Sequence, residues 1–234
     1  MAKTKVEFVC RECGASHHQW AGQCLDCKEW NTLEEIVISQ ATSSKPESLK
    51  DLPASKVQNL TEIKAQNKDR LSTGLSELDR TLGGGLVDGS VVLIGGDPGI
   101  GKSTLILQAL AKLNSDNTTL YVSGEESAEQ VSERAIRLGI KEDILFIGET
   151  HLEKIIKLSK DIKPKVIVID SIQTMVTDLS ASAPGSVTQV RDCAAQLTQF
   201  AKQTNTILLM IGHVTKGGAL AGPRILEHMV DAVL

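Results

Sequence analysis

The chain has 234 residues, 41% of them apolar and 23% charged, with a net charge of −4 and a sequence pI near 5.8. That suits one substantial soluble domain with a small satellite, and it excludes the strongly basic footprint by which many nucleic-acid-binding domains are recognised. Aromatic residues are only 3%, so the core must be aliphatic. No apolar run approaches the ~18 residues of a membrane helix, and the stretch Met1 to Glu7 has no apolar signal segment. The expectation is a cytoplasmic protein with no membrane partner and with reduced thiols.

In chain order, the first feature is a pair of C-x-x-C knuckles, Cys10–Cys13 and Cys24–Cys27, with ten residues between them. Two knuckles supply the closed tetrahedral four-thiolate shell of structural Zn²⁺. His17 and His18 lie between them and are expected to be solvent-exposed. A segment this short holds too little core to fold alone, so metal binding is expected to supply its folding energy. The predicted division is a zinc-finger domain over 1–38, a linker over 39–66 and a larger α/β domain over 67–234. Ser43, Ser44, Pro46, Ser48 and Pro53 break any period within the linker.

From there strands and helices alternate. Val91–Ile94 reads as a strand, and Gly96, Asp97, Pro98, Gly99, Ile100, Gly101, Lys102 and Ser103 follow it in the full pattern G-x-x-x-x-G-K-[ST], with Thr104 next. Between a strand and a helix this is a phosphate-binding loop. Its glycines let the main chain approach a polyphosphate, and the helix start turns N–H groups and a positive dipole end toward that anion. Lys102 supplies charge at the outer phosphates and the Ser103 hydroxyl a ligand for Mg²⁺. A helix is expected over Ser103–Leu113 and a strand over Thr118–Val122.

After that strand stand Glu125 and Glu126. One of them can polarise an attacking water; alternatively, both merely favour the next helix through its dipole. That helix opens on a capping box, Ser127 to Gln130, and ends at Gly139. A strand over Ile144–Ile147 and a helix over Leu152–Ile162 follow, the latter stopping before Pro164. Val166–Ile169 is four aliphatic residues ending in Asp170, a carboxylate delivered to the sheet edge where open α/β sheets bind ligands. There it can hold the Mg²⁺ water shell opposite Ser103. A helix over Ser186–Gln203 carries Cys193 as a core thiol, and a strand over Thr206–Ile211 leads into Gly212, His213 and Lys216. His213 is either structural or a sensor of the terminal phosphate. Short all-apolar strands between helices predict a parallel sheet covered on both faces, and Val230–Leu234 reads as a further strand.

Taken together, the finger, Trp20–Cys24 through Thr32, Ser72–Arg80, Leu82–Leu86, Gly95–Thr104, Ser182–Val187, and Gly212–Lys216 through Arg224 resemble the bacterial RadA (Sms) family of RecA-like DNA-repair ATPases. The resemblance implies a RecA-like P-loop core that uses ATP, Mg²⁺ and Zn²⁺, a motor driving branch migration of recombination intermediates on single-stranded and branched DNA. It implies a homo-oligomeric, hexameric ring, with a recombinase as a further partner. By resemblance, Lys102 and Ser103 serve phosphate and Mg²⁺, Asp170 is the second metal carboxylate and Glu125 the catalytic glutamate, with Glu126 as fallback. His213 and Lys216 couple ATP state to DNA, and a DNA-binding loop falls over about Leu179 to Gln189. The chain departs from the family at Leu25, usually proline, and at Gly217, usually acidic. It also lacks a Lys-Asn-Arg-Phe-Gly segment and a Lon-protease-like domain, so it is expected to be a piece of a longer chain with little turnover of its own. The alternatives are a RecA-like ATPase acting on proteins and an inactive zinc- and nucleotide-binding module.

Overall fold

The computed structural model describes residues 5–10, 15–38, 70–113, 117–180, 182–213 and 226–234. The expected linker, Cys13 and Lys216 lie outside them. The described residues divide into two compact units, one holding residues 5–10 and 15–38 and one running from Arg70 onward.

The first unit is a three-stranded antiparallel sheet in the order β2-β1-β3, with β1 at Lys5–Cys10, β2 at Ser16–His17 and β3 at Leu33–Ile38. The register sets Phe8 opposite His17 and Cys10 opposite Leu33. Between β2 and β3 the chain makes a tight knuckle. The Lys28 N–H donates to Cys24 O, the Cys24 N–H to Glu29 O, and Gln23 bridges Trp30. Lys28 and Asn31 hold positive φ in this turn.

In the second unit, six of the described strands form a parallel sheet in the order β6-β5-β7-β8-β4-β9. They are β4 (Val91–Ile94), β5 (Thr119–Ser123), β6 (Leu145–Gly148), β7 (Val166–Asp170), β8 (Ile207–Ile211) and β9 (Ala232–Val233). Helices α2 (Lys102–Leu113) and α3 (Ala128–Arg137) pack on one face, α4 (Leu152–Ile162) and α5 (Val187–Thr204) on the other. The strands alternate cleanly between two cores. Leu93, Val122, Ile167, Ile169 and Met210 face α4 and α5, whereas Val92, Tyr121, Val168 and Leu209 face α2 and α3. Each fully buried aliphatic side chain contributes roughly 1.5–3 kcal/mol, so this double core sets the frame on which the loops are carried.

Local chemistry explains the boundaries. Ser127 Oγ accepts from the Gln130 N–H while Gln130 Oε1 accepts from the Ser127 N–H, the reciprocal cap that starts α3. Gly139 follows α3 with φ +69. Lys163 and Asn205 end α4 and α5 in left-handed conformations. Cys193 is fully buried in α5, and burial, with Glu153 and Asp192 nearby, pushes its thiol up to about 12. A short helix, α1 (Ser76–Thr81), precedes the sheet. Asp79 on α1 accepts from Ser72 Oγ at 2.6 Å, Thr73 N at 2.8 Å and Thr73 Oγ1 at 2.7 Å, folding the Ser72–Leu75 turn onto α1.

Candidate functional site

The carboxyl ends of the parallel strands meet at one edge, where an open sheet presents its ligand site. From Ile94 the chain enters a loop whose Gly96, Gly99 and Gly101 have φ of +149, +82 and +103. A Cβ on Gly99 or Gly101 would meet nothing within 4 Å, so at these two positions the backbone angle and not crowding calls for glycine. Residues with side chains adopt such φ values only under strain, which is why the pattern demands glycine. Helix α2 starts at Lys102 with no acidic residue in its first turn, leaving its unpaired N–H groups directed into the loop. The Lys102 ammonium folds back across the loop, donating to Gly96 O at 2.7 Å and Asp97 O at 2.9 Å, and the residue is only 8% exposed.

Strand β7 delivers Asp170 to the same edge, 4% exposed. The Tyr121 hydroxyl donates to Asp170 Oδ2. Tyr121 itself is fully buried on β5; burial first, then the Asp170 charge, drives its phenol well above the usual tyrosine range. The Asp170–Ser171 peptide is cis. Strand β8 separates β4 from β7, so two strand spacings, about 10 Å in all, lie between the glycine loop and the carboxylate strand.

The two glutamates after β5 part company. Glu126 is held by Arg134 of α3 in a two-pronged, partly buried ion pair, with Nη1 to Oε2 at 2.7 Å. Glu125 turns toward β7 and β8. Its Oε1 accepts from Ser171 Oγ and lies 3.2 Å from His213 Nε2. His213 Nδ1 is buried without a hydrogen-bond partner. Gly124 makes this approach possible. A Cβ there would collide with Thr174 Oγ1 and come within 3.0 Å of Thr150 Cγ2.

The segment expected to contact DNA has a tethered base and a projecting tip. Glu153 Oε1 accepts from Thr177 Oγ1 at 2.5 Å and from the Asp178 N–H at 3.2 Å, and Gln189 Nε2 donates to Thr177 O. Leu179 is 79% exposed. Ser186 caps α5 through the Gln189 N–H.

In the finger, Cys10, Cys24 and Cys27 bring their sulfurs within 4.8 Å of one another, Cys10 and Cys27 at 3.6 Å. No disulfide joins the described cysteines. His17 departs from the expectation of an exposed histidine. Its side chain is 11% exposed, with Nε2 at 3.4 Å from Cys24 Sγ and 3.6 Å from Asp26 Oδ2. The pairing of β2 with β1 carries it there, a register that residue spacing alone does not reveal. His18 is exposed.

Tyr121, Ser171 and Arg134 are site neighbours that reading the sequence missed. Tyr121 sits in an apolar strand and looks like core. Only the β5–β7 register, Tyr121 opposite Val168 and Ser123 opposite Asp170, brings its hydroxyl to the carboxylate.

A glycine loop between strand and helix, with an acidic strand end beside it on a helix-covered parallel sheet, defines a RecA-like P-loop core. Residues 58–219 match the AAA domain family and residues 8–35 the rubredoxin metal binding domain; the chain belongs to the AAA domain family. It is similar to the DNA repair protein RadA of Pseudomonas aeruginosa, 54% identical over 235 residues that span all of this chain and 52% of the relative. It is also similar to the DNA repair protein RadA of Escherichia coli K12, 50% identical over 238 residues, 99% of this chain and 52% of the relative. The DNA repair protein RadA of Bacillus subtilis is 47% identical over 238 residues, again with the whole chain and 52% of the relative covered. These relatives bear out the resemblance to the RadA family, and the chain spans about half their length. No helix among the described residues is long and apolar enough to cross a membrane.

Proposed function

We propose that this chain is the nucleotide-hydrolysing part of a DNA-repair motor that drives branch migration of recombination intermediates on single-stranded and branched DNA. ATP is its substrate and a hexameric ring its working form, with a recombinase as a further partner. The observation that carries the reading is the glycine cradle at the head of α2, facing the same sheet edge as Asp170 and Glu125. A Cβ on Gly99 or Gly101 would meet no atom within 4 Å, and among the described residues the groups holding the Lys102 ammonium are carbonyls of its own loop. Lys102 exchanges those carbonyls for phosphate oxygens, a stronger, charge-assisted pairing. The loop N–H groups, with Gly96 to Thr104, hold and orient the phosphate chain.

Mg²⁺, when bound, neutralises charge on the outer phosphates; Ser103 and Asp170 are the residues that would hold it. Glu125 accepts a hydrogen bond from the attacking water and so orients it. Ser171 and His213 fix the Glu125 carboxylate, and the engagement of Glu126 by Arg134 supports Glu125 over its neighbour. His213 and Lys216 form the link from that carboxylate to DNA, together with the segment from Leu179 to Gln189.

The finger fits Zn²⁺. Thiolates about 2.3 Å from a tetrahedral ion stand about 3.8 Å apart, close to the 3.6 Å between Cys10 and Cys27. Cys10, Cys24 and Cys27, with Cys13 from outside the described residues, would hold it, and its binding energy would fold the knuckles. A second reading, an ATPase acting on protein partners, is favoured by Trp20, Leu25 and Trp30, which are 60–78% exposed on the finger.

Turnover of ATP by the full-length protein, with and without single-stranded DNA, tests the first reading. Stimulation by DNA, lost in Lys102→Ala, is the expected result. Turnover indifferent to DNA and raised by a protein partner would favour the second reading. Turnover unchanged in Lys102→Ala would overturn both.

A further inference from the structure

We propose that Tyr121 is a positioning residue for the metal carboxylate: its hydroxyl occupies one oxygen of Asp170 and dedicates the other to a hydrated divalent cation. The proposal rests on the reading of Asp170 as the Mg²⁺ carboxylate.

Tyr121 and Asp170 lie on neighbouring parallel strands, two residues out of register and on the same face. Such diagonal neighbours are about 7–8 Å apart at the backbone, a span an aromatic side chain crosses. The phenol of Tyr121 crosses it and donates to Asp170 Oδ2. Among the described residues Asp170 Oδ1 accepts no hydrogen bond, so the two oxygens of one carboxylate have different assignments. Tyr121 is fully buried, so its hydroxyl has no bulk water to turn to in place of that carboxylate.

The ring is itself locked. It stacks on Phe146 of β6 with centroids 6.3 Å apart and lies within the core formed with α2 and α3. A donor held this rigidly fixes the torsion of the carboxylate it contacts. Partners that orient a metal's ligands in this way typically tune metal affinity by about 10–100-fold. An ordinary buried tyrosine also finds a hydrogen-bond partner. What sets this one apart is the identity of the partner, the acidic strand end at the phosphate-binding edge.

The experiment titrates Mg²⁺ against binding of a fluorescent ATP analogue to the 234-residue chain, for wild type, Tyr121→Phe and Asp170→Asn, with thermal midpoints recorded alongside. Tyr121→Phe is expected to raise the half-saturating Mg²⁺ concentration about tenfold while binding in excess chelator stays unchanged. A folded Tyr121→Phe with the wild-type Mg²⁺ midpoint, beside an Asp170→Asn that is shifted, overturns the proposal and leaves the Asp170 reading standing. If Asp170→Asn is also unshifted, the metal reading of Asp170 fails and the proposal with it.

Should Tyr121→Phe fail to fold, the sequence offers a second route, because it contains one tyrosine. Labelling with 3-fluorotyrosine places a single fluorine on that ring. Its resonance is expected to move when Mg²⁺ is added to the nucleotide-bound chain and to stay still in Asp170→Asn. A resonance insensitive to Mg²⁺ in the wild-type chain overturns the proposal.

Discussion

Glu125 and Glu126 are adjacent and chemically identical, and their partners alone distinguish them. Arg134 clamps Glu126 against α3, whereas Ser171 and His213 draw Glu125 toward the strand ends. Replacing Glu125 with glutamine should therefore lower ATP turnover in the full-length protein by about 10²–10⁴-fold with nucleotide still bound. Replacing Glu126 with glutamine should cost stability instead, about 1–3 kcal/mol, by weakening a charged hydrogen-bonded pair. Single-turnover hydrolysis and thermal unfolding of both variants separate these outcomes; the reverse pattern would exchange the two assignments. The sequence alone left this choice open, because both residues suit the start of a helix equally well. The glycine loop was legible because its chemistry is local, every residue of the cradle lying within one turn of chain. Tyr121 and Ser171 were not, because their meaning depends on which strands are neighbours.

At the scale of elements, period and punctuation carried most of the fold. The strands Val91–Ile94 and Val166–Asp170 and the helix Leu152–Ile162 are readable from apolar runs and a proline stop. Helix α1 was missed because its six residues, only Leu78 of them buried, hold too short a period. What stabilises α1 is Asp79 and the turn it gathers. Burial opposes the charge of Asp79, yet hydrogen bonds from Ser72, Thr73 and Gly74 outweigh that and hold its carboxyl below the usual range. A lowered native value means stability that is complete above about pH 3.9 and lost as pH falls through the native value. Acid unfolding followed by circular dichroism should thus show a shallower decline below pH 4 in Asp79→Asn than in the parent chain. Gly124 makes a separate, steric demand. Its alanine variant would push β5's outgoing loop off the Ile172–Thr174 turn. A loss of about 1–3 kcal/mol in thermal unfolding is expected, with turnover falling because Glu125 parts from Ser171. Wild-type turnover in that variant would show that the approach is incidental.

The whole molecule is two units with different sources of stability. The core from Arg70 onward buries two aliphatic layers, whereas Cys10, Cys24 and Leu33 are the apolar side chains buried among the described finger residues. Both tryptophans of the sequence, Trp20 and Trp30, lie in the finger, so their fluorescence reports on that unit alone. A zinc chelator should lower tryptophan anisotropy while the P-loop core keeps its nucleotide affinity; joint loss of both would show that the units are not independent. The strand order has a further consequence. Strand β8 runs between the glycine-loop strand and the acid-bearing strand, and the residue two places beyond its end, His213, touches Glu125. On the role proposed for Glu125, a ligand that grips the chain past His213 would act on the hydrolytic carboxylate, and thermodynamics would make the traffic two-way. If a ligand on that segment tightens nucleotide binding by some factor, the nucleotide must tighten that ligand by the same factor. Grip and fuel state are then two readings of a single equilibrium.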